Sequence, residues 1–150
     1  MSERKRRLAR RTLALALLGV MLMAAKPVAG ASSITLDQPN PVYGQSVTFT
    51  GVYPKEASRK VGRQQQWNPA VQVDCSQNAV HVFTANNVYV KDTRLPSGEL
   101  TGVSGPIQLG AVFNENTWTS GAASCSAALY YYGQDNLIHV LAEIQFEVGA

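Results

Sequence analysis

Residues that carry chemistry are scarce in this chain. It has two histidines and two cysteines in 150 residues, and only 15% of its residues are charged. A hydrolase needs a nucleophile, a base and a group that orients the base. Neither His81 nor His139 has such partners in the sequence, and both fall on the solvent parity of expected strands. Gly102-Val103-Ser104-Gly105-Pro106 lacks the last glycine of a nucleophile elbow and precedes no helix. Zinc wants three or four Cys, His or carboxylate ligands at recognisable spacing, and that spacing is missing. Asp74, Asn114, Glu115, Asn116, Asp135 and Asn136 lack the order of an EF-hand loop and read as turn formers. Glu143 and Glu147 share a strand face and read as solvated carboxylates rather than a glycosidase pair. No catalytic residue, cofactor or metal is therefore expected. After residue 31 no apolar stripe of 3.6-residue period is long enough for a helix.

What is present begins with a leader. Arg4, Lys5, Arg6, Arg7, Arg10 and Arg11 stand against Glu3, and an apolar run extends from Thr12 to Ala25. Ala29-Gly30-Ala31 then supplies the small residues of a cleavage site. The run is 14 residues long, short of the roughly 20 that span a bilayer as a helix. Residues 1–31 are read as a signal peptide and residues 32–150 as one domain. Arg10-Arg11-Thr12-Leu13 loosely resembles a twin-arginine signal, without the usual flanking residues, so the general secretory route is preferred. No cysteine comes after the apolar run at the cleavage site, so no lipid attachment and no stable membrane anchor after cleavage are expected. The protein is expected to be secreted or otherwise extracytoplasmic.

The leader also holds the chain's positive charge. Residues 1–31 carry seven of the 13 Lys and Arg and one of the ten Asp and Glu, which leaves 32–150 at −3. No basic stripe for nucleic acid remains. A domain of this size buries roughly two thirds of its unfolded surface, enough for one core.

Period-two alternation dominates residues 32–150. Cys125, Ala127, Leu129 and Tyr131 share one parity, with Ser124, Ser126, Ala128, Tyr130 and Tyr132 on the other. Val71, Val73 and Cys75 repeat the apolar parity upstream. Both cysteines thus lie on apolar faces, and an exported chain permits their oxidation, so a Cys75–Cys125 disulfide is predicted. Ile34 and Leu36, then Val47, Phe49, Gly51 and Tyr53, face inward on earlier strands. Val80 to Phe83 and Val88 to Val90 read as two short strands split by Asn86-Asn87, and Ile107 to Phe113 as another. Ile138, Val140, Ala142, Ile144, Phe146 and Val148 all fall on one parity, which predicts a central, doubly flanked strand. Lys91 to Pro106, with three glycines and two prolines, reads as a long functional or mobile loop. The expected fold is all-β: two antiparallel sheets of about seven or eight strands in a sandwich, with one disulfide.

Ser33-Ile34-Thr35-Leu36, Gly44-Gln45-Ser46-Val47-Thr48-Phe49-Thr50, Val73-Asp74-Cys75-Ser76-Gln77 and Ala123 to Tyr130 resemble immunoglobulin-like domains. The likeness is to those of small exported or surface proteins of high-GC Gram-positive bacteria and their phages. It implies a β-sandwich with a binding or structural role and supplies no catalytic residues. Two departures from antibody domains stand out: Trp67 precedes Cys75 instead of lying between the cysteines, and Ala123 occupies the usual tyrosine position. Cys75 also falls on the third strand by this count, which makes the bridge join two strands of one sheet.

Two functions are compatible with these features. The first is a secreted, non-catalytic immunoglobulin-like binding or structural module whose partner is a protein or a cell-surface polymer. Its candidate contact surface is Tyr130, Tyr132 and Trp67, since tyrosines join apolar area to a polar tip. Core packing competes for Trp67, and cover of a sheet face for the tyrosines. The second is a small secreted enzyme or protease inhibitor that works through the 91–106 loop.

Overall fold

A computed structural model describes residues 31–61, 65–110 and 116–150, with the backbone alone at 59–61, 65–67, 90 and 91. The expected leader lies outside the described residues except for Ala31. The strands are β1 (Ser33–Leu36), β2 (Ser46–Val47), β3 (Phe49–Tyr53), β4 (Arg59–Val61), β5 (Gln65–Trp67), β6 (Ala70–Gln77), β7 (Val80–Arg94), β8 (Leu100–Ser104), β9 (Ile107–Gln108), β10 (Ala123–Tyr132) and β11 (Ile138–Val148). The helical content of the described residues is a single 3-10 turn, Lys55–Ala57.

The hydrogen-bonded order is β1-β3-β8-β7-β6-β10-β11, antiparallel throughout. β7 divides it into two layers. Its first part, Val80 to Val88, pairs with β6, and its end, Tyr89 to Arg94, pairs with β8. One strand thus belongs to both sheets of an immunoglobulin-like sandwich, with β1, β3 and β8 in one sheet and β6, β10 and β11 in the other. β1 comes back against β11, and Val42 bridges Gly149 in parallel, so the two sheets nearly close into a barrel.

The inward parity builds the core. Ile34, Val47, Phe49, Tyr53, Val71, Val73, Cys75, Phe83, Tyr89, Leu109, Trp118, Cys125, Ala127 and Leu129 are buried. Phe49 meets Phe146 of the facing sheet edge to face, with ring centroids 5.9 Å apart. Trp118 is the core tryptophan: Phe83 and Tyr43 pack on it, and its indole N–H donates to the Gly121 carbonyl at 3.0 Å. The β2–β3 break at Thr48 leaves the Phe49 N–H inside, where the buried Ser104 hydroxyl accepts it at 3.0 Å. Cys75 and Cys125 are directly paired neighbours on β6 and β10 and form the disulfide, with Cα atoms 4.1 Å apart. It lies within one sheet, as the strand count implied.

Four sequence expectations need correction. β11 is an edge strand: among the described strands it pairs with β10 alone. Leu141 is an extra residue on β11, because Leu129 pairs with Ala142 but Tyr130 with Val140. This β-bulge reverses parity. Ala142, Ile144 and Phe146 face the core as expected, whereas Ile138 and Val140 point out and are 57% and 54% exposed. His139 correspondingly moves to the inner side, stacked on Tyr131 at 5.1 Å. Second, Val80 to Arg94 is one continuous strand. Third, residues 91–106 are not a long loop. They form the end of β7, a tight turn closed by Leu95 and Glu99, and β8. Fourth, the strand expected over Ile107 to Phe113 is interrupted: Ile107–Gln108 is followed by a turn at Leu109 and Gly110, with 111–115 outside the described residues.

Candidate functional site

The face of β6, β10 and β11 turned away from the core, with Val88 of β7 beside it, holds a group of exposed apolar residues. Register places Val88, Ala70, Tyr130 and Val140 side by side on four adjacent strands, all outward. Tyr132 and Ile138 form the next pair toward the hairpin, where Leu137 is also exposed. The Tyr130 and Tyr132 rings meet edge to face at 6.0 Å. Partial burial, and next the neighbouring Tyr132, raise the Tyr130 hydroxyl above its ordinary range, so it is a neutral hydrogen-bonding group at physiological pH.

On the other side of Tyr130 the outward residues of β10 are small: Ala128, Ser126 and Ser124. Their neighbours are long. Gln72 and Asp74 stand on β6, and Glu143 and Gln145 on β11. Small residues on the middle strand and long ones on both flanks make a groove of about 340 Å³ along β10, ended by Tyr130, Ile138 and Val140. The Gln72 amide donates to Asp74 at 2.8 Å. Glu143 has no hydrogen-bond or ion-pair partner among the described residues.

Beside Asp74 lies the arrangement nearest to a catalytic triad. The Thr84 hydroxyl donates to Asp74 Oδ1 at 2.5 Å, and His81 Nε2 lies 2.7 Å from the same hydroxyl. While the Thr84 hydroxyl donates to Asp74, its oxygen is left to accept from a His81 Nε2–H. The arrangement is a polar clasp between β6 and β7. Asn116 extends it, accepting the Thr84 N–H and donating back to the Thr84 carbonyl.

The second histidine closes the β10–β11 hairpin. His139 Nε2 lies 2.9 Å from Asp135 Oδ2. That hydrogen bond first, and then the Leu137 N–H, lowers the Asp135 carboxyl below its ordinary range. The residues read as turn formers do not converge. Asp74 and Asn116 both serve Thr84, Asp135 serves the hairpin, and 114 and 115 lie outside the described residues. Among the described residues no group of three or more His, Cys, Asp and Glu is placed to hold a metal ion.

The structure joins Tyr130 and Tyr132 on one face. Trp67 is on β5, whose only pairing among the described residues is with β4. Its side chain lies outside the described residues. The 91–106 segment is committed to the fold: Asp92 accepts the Tyr53 hydroxyl and the Ser58 hydroxyl, both at 2.5 Å. Ile138, Val140 and Val88 are members of the face that parity alone does not reveal. The one legible sign of the groove is the run of small outward residues at Ser124, Ser126 and Ala128.

Among the described residues no helix is long and apolar enough to cross a membrane. The chain matches no known protein-family model, and no curated protein matches it in sequence.

Proposed function

We propose that this protein is an extracytoplasmic, non-catalytic immunoglobulin-like module that binds a protein or a cell-surface polymer through the outer face of β6, β10 and β11. The observation that carries the reading is the row Val88, Ala70, Tyr130 and Val140, extended by Tyr132 and Ile138. Isolated exposed apolar residues need no explanation, but a contiguous rimmed patch is what interaction surfaces display. Tyrosine at its centre suits an interface core. The basic, apolar, A-x-A leader supports export, and the disulfide fits an oxidising compartment. The β7–β8 segment, the candidate working part of an enzyme or inhibitor, gives no support to that alternative.

The test is retention on the surface of the cells that export the protein. Wild type is compared with a Tyr130→Ser, Val140→Ser double variant, with thermal melting as the control for folding. Released protein should begin at Ser32, and the variant should lose retention while melting as wild type does. Equal retention of a folded variant would place the contact elsewhere and overturn the reading.

A further inference from the structure

Charge is segregated in this molecule. β6, β10 and β11 contain no lysine or arginine, yet hold Asp74, Glu143 and Glu147, all on the outer face. After the leader, the six cations of the chain all fall between Lys55 and Arg94. The groove along β10 therefore has an acidic wall on each side and no lysine or arginine in its lining, with His81 Nε2 at 3.4 Å from Asp74 Oδ1 beside it. Its floor, Ser126 and Ala128, is low, and its walls stand one strand to either side. Neighbouring strands are about 4.8 Å apart, so the opening is roughly 10 Å wide, the room one extended chain needs.

Spacing then defines the occupant. The apolar row through Tyr130, the Gln72–Ala128–Glu143 row and the Asp74–Ser126–Gln145 row succeed one another along β10. Successive outward positions on a strand lie about 6.8 Å apart, and an extended peptide repeats its own side chains with the same period. The Tyr130 and Tyr132 rings are inclined at 80°, so they form no coplanar platform for the face of a sugar. Ile138 and Val140 beside them are aliphatic and exposed. For a ligand bearing phosphate, sulfate or carboxylate, the charged groups of the lining, Asp74 and Glu143, are of its own sign.

We propose that this groove docks an extended polypeptide segment of a partner protein, which sets an apolar side chain against Tyr130 and Val140 and a lysine or arginine two to four residues away between Glu143 and Asp74. The inference rests on the binding reading above and narrows it to a basic-apolar peptide. Glu143, exposed and unpaired among the described residues, is the main charge determinant. Asp74, already held by Gln72 and Thr84, is a rigid second acceptor. Attraction across so open a groove is screened by salt.

The experiment selects random displayed dodecapeptides on the disulfide-bonded protein, produced from the full reading frame and purified as the host releases it. Enriched peptides are synthesised and titrated into wild type, Glu143→Gln and Tyr130→Ser, with NMR shifts mapping the contact. The expected result is enrichment of Lys or Arg two to four residues from an aromatic or aliphatic residue. Shifts should centre on Gln72, Ala128, Tyr130 and Glu143. Glu143→Gln should weaken binding about fivefold or more, the scale of a modest ion pair, and added salt should do the same. Enriched peptides without basic residues, or indifferent to Glu143→Gln, overturn the inference while leaving a binding face at Tyr130. A neutral oligosaccharide that shifts the same resonances when no peptide does has the same consequence. Peptides that bind elsewhere and ignore Tyr130→Ser overturn both readings.

Discussion

Tyr89 lies against Gly51 so closely that a Cβ placed on the glycine would meet the tyrosine ring at 2.8 Å. The two residues come from the two sheet partners of β8: Gly51 pairs with Gly102, and Tyr89 with Ser104. The ring is completely buried, and among the described residues its hydroxyl is the buried side-chain polar atom without a hydrogen-bond partner.

That contact sets two substitutions in opposite directions. Gly51→Ala drives a methyl into a rigid buried ring and should cost about 1–3 kcal/mol, the range for overpacking. Tyr89→Phe removes an unsatisfied hydroxyl and should leave stability unchanged or raise it by about 1 kcal/mol. Urea denaturation of both variants checks the pair. A loss above ~2 kcal/mol for Tyr89→Phe would mean that the hydroxyl has a partner.

Alkali should unfold the domain. Burial, and then the Asp92 carboxylate, push the Tyr53 hydroxyl far above its ordinary range, and burial with the Asp37 charge does the same for Tyr89. In the unfolded chain both ionise near pH ~10. The folded state keeps its protons at higher pH, so stability is complete below about pH 10 and falls as pH rises beyond it. Circular dichroism and absorbance at the tyrosinate band, measured together from neutral pH upward, should show the last tyrosines ionising as the fold is lost. Full ionisation of all six tyrosines with an unchanged dichroism spectrum contradicts this.

The disulfide joins residues 50 apart in sequence. In the loop-entropy model this stabilises the fold by roughly 4 kcal/mol, a large part of the ~5–15 kcal/mol of a typical domain. Cys75→Ser and Cys125→Ser should lose similar amounts, since either breaks the same bond. The bridge staples neighbours that are already paired, so the facing sheets should stay packed at about 25 °C without it. Chemical denaturation and near-ultraviolet dichroism test the two statements. Unequal variants, or collapse of tertiary signal on reduction, count against them.

The bulge predicts a contrast along one strand. Phe146, partly buried against Phe49, should cost ~2 kcal/mol on change to alanine, below the roughly 3–5 kcal/mol of a fully buried phenylalanine. Val140→Ser should stay within about 0.5 kcal/mol, as surface changes do. A central strand would give two large losses.

Much of the fold was legible because β6, β10 and the second half of β11 obey strict alternation, and two cysteines on apolar parity allow one pairing. The bulge was not, since an extra leucine in an apolar strand carries no signature of its own. Residues 91–106 misled through their glycines. Gly98 does turn the chain, with φ of 96°. Gly102 instead makes room: a Cβ there would lie 2.5 Å from the Tyr53 hydroxyl, and one on Gly105 would strike Asn87. Asn86-Asn87 looked like a break, but Asn87 sits at the seam between the sheets, where its amide reaches the Pro106 carbonyl at 3.0 Å. Of the candidate site, Tyr130 and Tyr132 were legible from parity, while their aliphatic neighbours depended on the bulge.

Leu141 has a genetic consequence. Deleting that one residue removes the bulge and keeps every pair on either side of it, Leu129 with Ala142 and Tyr130 with Val140, so that Ile138 and Val140 stay outward and His139 inward. The docking face thus survives loss of one codon, and relatives of this chain with and without the extra residue should share the recognition surface.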